Sequence, residues 1–325
     1  MKTDFGTAIL SGFDYLLENY PEVFVIGQGL WSPWYVGTTM TDLDKKFGKE
    51  RVIDTPVSES ACTGAAIGAS LTGMRPIIVH PRMDFMLYAM DAIVNQAAKW
   101  SHMFGGQAHP GVTIRGIINR GGEQGAQHSQ ALHALFAHIP GLRVVMPSTV
   151  TDARDLLIAS VLSPDPVIYI DDRWLYSQTD ELEEIVELDL SKEGPECLME
   201  GNDLTLVASG FSSMQAREVC DLVANKGISL EIIDLRILNP FDASKILESV
   251  RKTGRLLVVD GGWKACGMAS EVISSVTEEL ELGALKSKPL RITLPSAPAP
   301  TSATLEREYY LSNDRLIDCI INLVR

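Results

Sequence analysis

The sequence is poor in positive charge, has no closely spaced cysteine pair and contains no long apolar run. Forty-two acidic residues stand against 28 lysines and arginines, a formal net charge of -14. A nucleic-acid surface needs a basic patch and a polybasic membrane anchor needs clustered cations, so neither is a first reading. The five cysteines, Cys62, Cys197, Cys220, Cys266 and Cys319, are scattered and odd in number. Without a CxxC pair, a zinc ribbon or dithiol site is not expected, and reduced thiols in a cytoplasmic protein are. The six histidines (80, 102, 109, 128, 133 and 138) show no metal-ligand spacing on one helix face. No stretch of about 18 apolar residues occurs, so no membrane span is expected. The opening MKTDFGTAIL carries an acid early and has no long apolar core, unlike a signal peptide. The motifs GxxxxGKS/T, GxSxG and HExxH are missing, which removes a phosphate-loop NTPase, a hydrolase elbow and a zincin. Internal repeats and low-complexity tracts are also lacking.

A chain of 325 residues suggests about two domains. Apolar runs of strand length alternate with longer amphipathic stretches. Residues 23–27, 76–80, 112–119, 142–146 and 166–170 read as strands, and 3–20, 59–72, 86–103, 129–138 and 151–162 as helices. Strands this apolar are buried on both faces, as in a parallel sheet between helices. The acidic, turn-rich segment 178–196 interrupts the pattern. It divides the chain into 1–180, a linker at 181–200, and 201–325. The second series has strands at 203–208, 229–234, 255–260 and 290–294, with helices at 212–226, 242–251, 267–281 and 314–324. The fold class is therefore α/β throughout. The run 295–300, PSAPAP, is a stiff extended loop.

Two patches carry chemistry. In the first, DTPVSE at 54–59, a proline turn presents Glu59 at the start of a helix rich in small residues. A plain alternative is an acid that favours the helix macrodipole. The small residues Ala61, Gly64, Ala65, Ala66, Gly68 and Ala69 suit close packing against another backbone or a ligand. The second patch, NRGGEQGAQHSQ at 119–130, places Gly121, Gly122 and Gly125 in a loop that can approach a ligand closely. It ends in His128 and Ser129, with Ser129 as a candidate helix cap; the alternative is an ordinary surface loop.

Together the patches resemble the beta subunit of thiamine-diphosphate-dependent 2-oxo acid dehydrogenases, in the transketolase-like superfamily. The resemblance rests on FGKERVIDTPVSE (47–59), AQHSQ (126–130), PGLRVVMPST (140–149), DLRILNPFD (234–242) and VVDGGW (258–263), in order along nearly the whole chain. It implies a pyrimidine-binding parallel-sheet domain followed by a transketolase C-terminal α/β domain. It also implies that Glu59 holds the aminopyrimidine nitrogen of thiamine diphosphate, that Phe85 stacks on that ring, and that the backbone at Val57 touches it. His128 would then handle substrate protons in the channel, the task that suits histidine near neutral pH. A structural potassium ion would sit on the main-chain carbonyls of Val112, Ser160, Ser163 and Asp165.

The resemblance also implies a partner. The family's diphosphate and Mg²⁺ motif begins GDG, and no GDG occurs; the nearest segment, Val259-Asp260-Gly261-Gly262, lacks the first glycine. An alpha chain should supply that half, in an assembly of two alpha and two beta chains that works with a lipoyl acyltransferase. Departures from the family pattern fall at Gln28, at Tyr88 and in His80-Pro81-Arg82-Met83-Asp84. They put the usual substrates, pyruvate and branched-chain 2-oxo acids, in question. Arg82 could grip a carboxylate or phosphate, although a surface salt bridge is the plainer role, and with Tyr88 it is the candidate for the substrate channel. Two activities stay open: acyl transfer from a 2-oxo acid to a lipoyl carrier, and a carboligase or split transketolase-like transfer of a two-carbon unit to an aldehyde.

Overall fold

Six strands of the N-terminal unit form one parallel sheet in the computed structural model, which describes residues 2–325. Their order is Arg143–Val145, Val167–Asp172, Thr113–Ile118, Arg75–His80, Val23–Gly27, Val52–Asp54. Every residue of Thr113–Ile118 and of Val167–Asp172 is buried, as expected for strands covered on both faces. The helices Phe5–Asn19 and Val150–Leu162 pack on each other, and Glu59–Ser70 packs on the Arg75–His80 strand. Side chains start the first two: Asp4 accepts from the Thr7 amide at 2.7 Å and Thr149 from the Asp152 amide at 3.1 Å.

Sequence and structure differ at 86–103. A single helix was expected there, and the chain instead forms a 3-10 helix, Met83–Ala89, a π-helix, Asp91–Ala97, and one α turn, Trp100–Met103. The reason is a spacing of three. Met83, Met86 and Ala89 are all buried, and only the tighter helix aligns i, i+3 and i+6 on one face. Gly116 makes room for them: a Cβ there would lie 2.4 Å from the Met86 sulfur. The helix expected at 129–138 shrinks to His133–Ala137.

The C-terminal unit carries a five-stranded sheet ordered Glu196–Met199, Leu230–Asp234, Leu204–Ala208, Leu256–Trp263, Leu290–Leu294. Its first pair is antiparallel and the others are parallel. The helices Phe211–Ala224 and Asn313–Val324 pack on each other and bury Val219, Val223, Leu316 and Ile320 in this core.

The boundary between the two units falls at Glu193–Gly194, and the units interleave at Arg120–Ala134. One contains the residues up to Asn119 together with Leu135–Glu193, and the other Arg120–Ala134 together with Gly194–Arg325. The acidic segment is also structured rather than loose. Thr179–Glu181 pairs with Lys2–Asp4, the Tyr15 hydroxyl donates to Glu187 at 2.7 Å, and Arg154 donates to the Glu183 and Glu184 carbonyls at 2.7 and 3.0 Å. The segment expected as a linker is thus tied down by hydrogen bonds that composition does not reveal.

Candidate active site

Glu59 is the first residue of the Glu59–Ser70 helix and is half-buried. Ser58 stands at the N-cap and makes no side-chain cap bond, so the carboxyl of Glu59 is the acid that meets the positive end of the helix. It lines a narrow niche with Gln28, Cys62, His80 and Pro81. The free space in the niche is about 10 Å³, enough for about one water. The niche is too narrow for a ring, and Val57, which precedes the lining Ser58 in the chain, is 73 % exposed. The floor is close-packed because Gly27 allows it: a Cβ there would sit 2.5 Å from the Val79 carbonyl oxygen.

Phe85 lies in the Met83–Ala89 turn, which packs on the Glu59–Ser70 helix. Its ring stacks on Tyr88 with centroids 6.4 Å apart and planes 24° from parallel. Tyr88 is 71 % exposed and faces away from the core. Arg82 precedes this turn, and its Nη1 donates to the Pro81 carbonyl at 3.0 Å. Asn119 Nδ2 donates to the same carbonyl at 2.8 Å, and Asn119 Oδ1 accepts from Arg173 Nη1 at 2.9 Å. Burial, and next the nearby Arg173 charge, hold the Arg82 pKa below its ordinary value. The structure thus brings Glu59, Val57, Phe85, Arg82 and Tyr88 into one unit. His128, half-buried in its glycine loop, belongs to the other.

Sequence reasoning missed the depth of His80. Its ring is buried, its Nε2 lies 3.2 Å from Thr63 Oγ1, and burial pushes its pKa down to about 4. The niche beneath Glu59 is therefore lined by a neutral imidazole at neutral pH. The folded value lies below the unfolded 6.5, so this contribution to stability is complete above pH 6.5 and is lost as pH falls toward about 4. The loss amounts to about 3 kcal/mol. Urea unfolding between pH 7 and 4.5 should show a steeper fall for the wild type than for His80→Gln. Parallel curves would mean that another group sets the acid limit.

The potassium positions fit less well. The Val112 carbonyl accepts from the Val167 amide at 3.0 Å, and the Ser163 carbonyl accepts from Arg75 Nη1 at 3.2 Å. The same nitrogen donates to the Val161 carbonyl at 2.7 Å, and the Asp165 carboxylate is held by Arg143 at 2.8 Å. The Arg75 guanidinium thus places positive charge beside the Val161 and Ser163 carbonyls. For thiamine diphosphate the fit is better. A half-buried carboxyl, a flat apolar ring and an exposed backbone turn are the groups an aminopyrimidine needs. Among the described residues no three His, Cys, Asp or Glu side chains are grouped to hold a metal ion. None of their helices is long and apolar enough to cross a membrane.

Known proteins match along nearly the whole chain. Residues 1–178 match the transketolase pyrimidine-binding domain and residues 196–316 the transketolase C-terminal domain. The beta subunit of an acetoin:2,6-dichlorophenolindophenol oxidoreductase from Cupriavidus necator is 43% identical over 319 residues, covering 95% of this chain and 93% of that protein. The mitochondrial pyruvate dehydrogenase E1 component subunit beta-2 of Oryza sativa subsp. japonica is 35% identical over 305 residues, covering 92% and 80%. A solved split-gene transketolase, an inactive beta4 tetramer, superposes with a TM-score of 0.76 over 99% of this chain and 97% of its own, at 22% identity, and so shares the fold. The chain belongs to the transketolase-like family of dehydrogenase beta subunits, in which a pyrimidine-binding domain precedes a transketolase C-terminal domain.

Proposed function

We propose that this chain is the beta subunit of a thiamine-diphosphate enzyme that decarboxylates a 2-oxo acid and passes the acyl group to a lipoyl carrier. The observation that carries this reading is Glu59: a half-buried carboxyl at a helix start, in a niche too small for a ring, next to the turn that bears Phe85. When bound, the cofactor supplies the carbon nucleophile and the electron sink. Glu59 holds a proton against the ring nitrogen of the aminopyrimidine, and Phe85 offers that ring a flat face. The main chain at Val57 sets its edge. His128 gives or takes a proton at the substrate's carbonyl oxygen.

The second half of the site is assigned to an alpha chain. This sequence has no GDG segment for diphosphate and Mg²⁺. The small-residue helix supports a partner as well. Ala61, Gly64, Ala65 and Gly68 are exposed, and nothing lies within 4 Å of a Cβ built on Gly64 or Gly68. The backbone that these residues would let approach is not contributed by this chain. Two alpha and two beta chains, with Mg²⁺ held by alpha, make the assembly we propose. The five free cysteines suit the reducing cytoplasm.

Arg82 favours a second reading. A half-buried guanidinium beside Pro81, coupled through Asn119 to Arg173, suits an anionic group on an aldehyde acceptor, as in a carboligase. One assay separates the two. The complex is recovered from native cells through a tag on this chain and given pyruvate, branched-chain 2-oxo acids and acetoin, with dichlorophenolindophenol as acceptor. Dye reduction with a 2-oxo acid, and acylation of an added lipoyl domain, is the expected result. Acyloin formation from aldehydes without lipoyl acylation would replace the first reading with the second.

A further inference from the structure

The VVDGGW segment and the glycine loop are two sequence signatures that the proposed chemistry leaves unconnected, and in the structure they touch. Asp260 and His133 are both buried, with His133 Nε2 2.9 Å from Asp260 Oδ1. The carboxylate only accepts, so Nε2 carries a proton, and Nδ1 has no hydrogen-bond partner. The Gly262 amide donates to Oδ1 at 2.8 Å and the Ala269 amide to Oδ2 at 3.1 Å. Burial alone would raise the Asp260 pKa; the His133 ring and these amides outweigh it and hold the carboxyl below its ordinary range. The two glycines leave room for the loop. A Cβ on Gly261 would lie 2.8 Å from Arg120 Nη1, and one on Gly262 would lie 3.1 Å from His133 Cε1.

The other end of the loop is held in the same unit. The Glu123 amide donates to both carboxylate oxygens of Glu306, at 3.1 and 3.3 Å, and Glu123 Oε1 accepts from the Ala303 amide at 3.0 Å. Gly125 has a φ of +75°, and a Cβ there would come within 2.5 Å of Thr301 Cγ2. Glu123 and His133 stand five residues either side of His128. A loop with three glycines has high conformational entropy, and two buried carboxylates remove it at both ends.

We propose that His133 with Asp260, and Glu306, are positioning residues for His128: they fix the loop so that the imidazole of His128 keeps one place. This rests on the proposed role of His128, and the test separates the two claims. The tagged native complex is prepared as wild type, His133→Asn, Asp260→Asn, Glu306→Gln and His128→Asn, with the double variant His133→Asn/His128→Asn. Turnover is measured with the substrate that reduces the dye, and hydrogen exchange is followed in peptides covering 121–132. His133→Asn should lower kcat about 30-fold, the scale expected when a reacting group is misplaced by less than 1 Å, with KM little changed. Exchange in the loop should rise by more than in peptides elsewhere in the chain. Glu306→Gln, which keeps an oxygen for the Glu123 amide, should retain most of the rate. Adding His133→Asn to His128→Asn should cost nothing further. If His128→Asn leaves turnover intact, the role of His128 is wrong. If His128→Asn lowers kcat and His133→Asn does not, or if their losses multiply, the positioning role is wrong.

Discussion

Glu59→Gln is expected to lower turnover of the assembled enzyme about 1000-fold while cofactor affinity changes less than about fivefold, because it removes proton transfer and preserves shape. Glutamine keeps the length and one oxygen of the side chain but cannot share a carboxyl proton with a ring nitrogen. Glu59 begins a helix whose backbone fixes it beside the niche, so the substitution leaves packing intact. Pre-steady-state turnover and titration of thiamine diphosphate, run on the same preparation, separate the two effects. A variant that lost binding as well would make Glu59 a structural cap. A variant with full turnover would remove it from the chemistry.

Asp171→Ala should have the largest effect on stability. Arg115 and Asp171 are both fully buried, joined by two bonds of 2.8 Å, Nε to Oδ1 and Nη2 to Oδ2. Arg115 Nη1 also donates to Thr39 Oγ1 at 3.0 Å, the Tyr176 hydroxyl donates to Asp171, and the guanidinium lies 5.4 Å from the centre of the Phe13 ring. Burial opposes the charge on Arg115, and the Asp171 carboxylate more than offsets it and moves the pKa up. Removing the carboxylate leaves an uncompensated buried cation, at a cost of about 3–5 kcal/mol. In a unit of this size the melting midpoint should fall by roughly 10 °C. The double variant Arg115→Met/Asp171→Leu should recover most of that loss. If Asp171→Ala melts within about 2 °C of wild type, the pair is solvated in a way its burial does not suggest.

Much of the fold could be read from the sequence because buried parallel strands write themselves as apolar runs. Val23–Gly27 and Leu290–Leu294 fall at the expected residues, and the other expected strands within two residues at either end, except Leu256–Trp263, which runs three residues past 260. Short elements were not legible. Val52–Asp54 spans three residues and alternates too little to register, and the 83–97 turns follow a spacing set by Gly116 on another strand. The place of Glu59 at a helix start was legible because a proline turn marks it locally. His80 gave no sign of its burial, which its neighbours in space determine. His133 and Asp260 are 127 residues apart, and no local pattern joins them. The assignment of Arg120–Ala134 to the C-terminal unit escaped notice for the same reason. Glycines signal that a loop can approach something, and only the tertiary fold says what.

The most direct test of the central claim is calorimetric titration of thiamine diphosphate with Mg²⁺ into this chain alone and into the complex recovered with its alpha partner. Saturable binding by the complex is expected, near one cofactor per beta chain, with no measurable heat from the chain alone. Equal binding by the chain alone would contradict the divided site, and no binding by the complex would show that the fold persists without the chemistry.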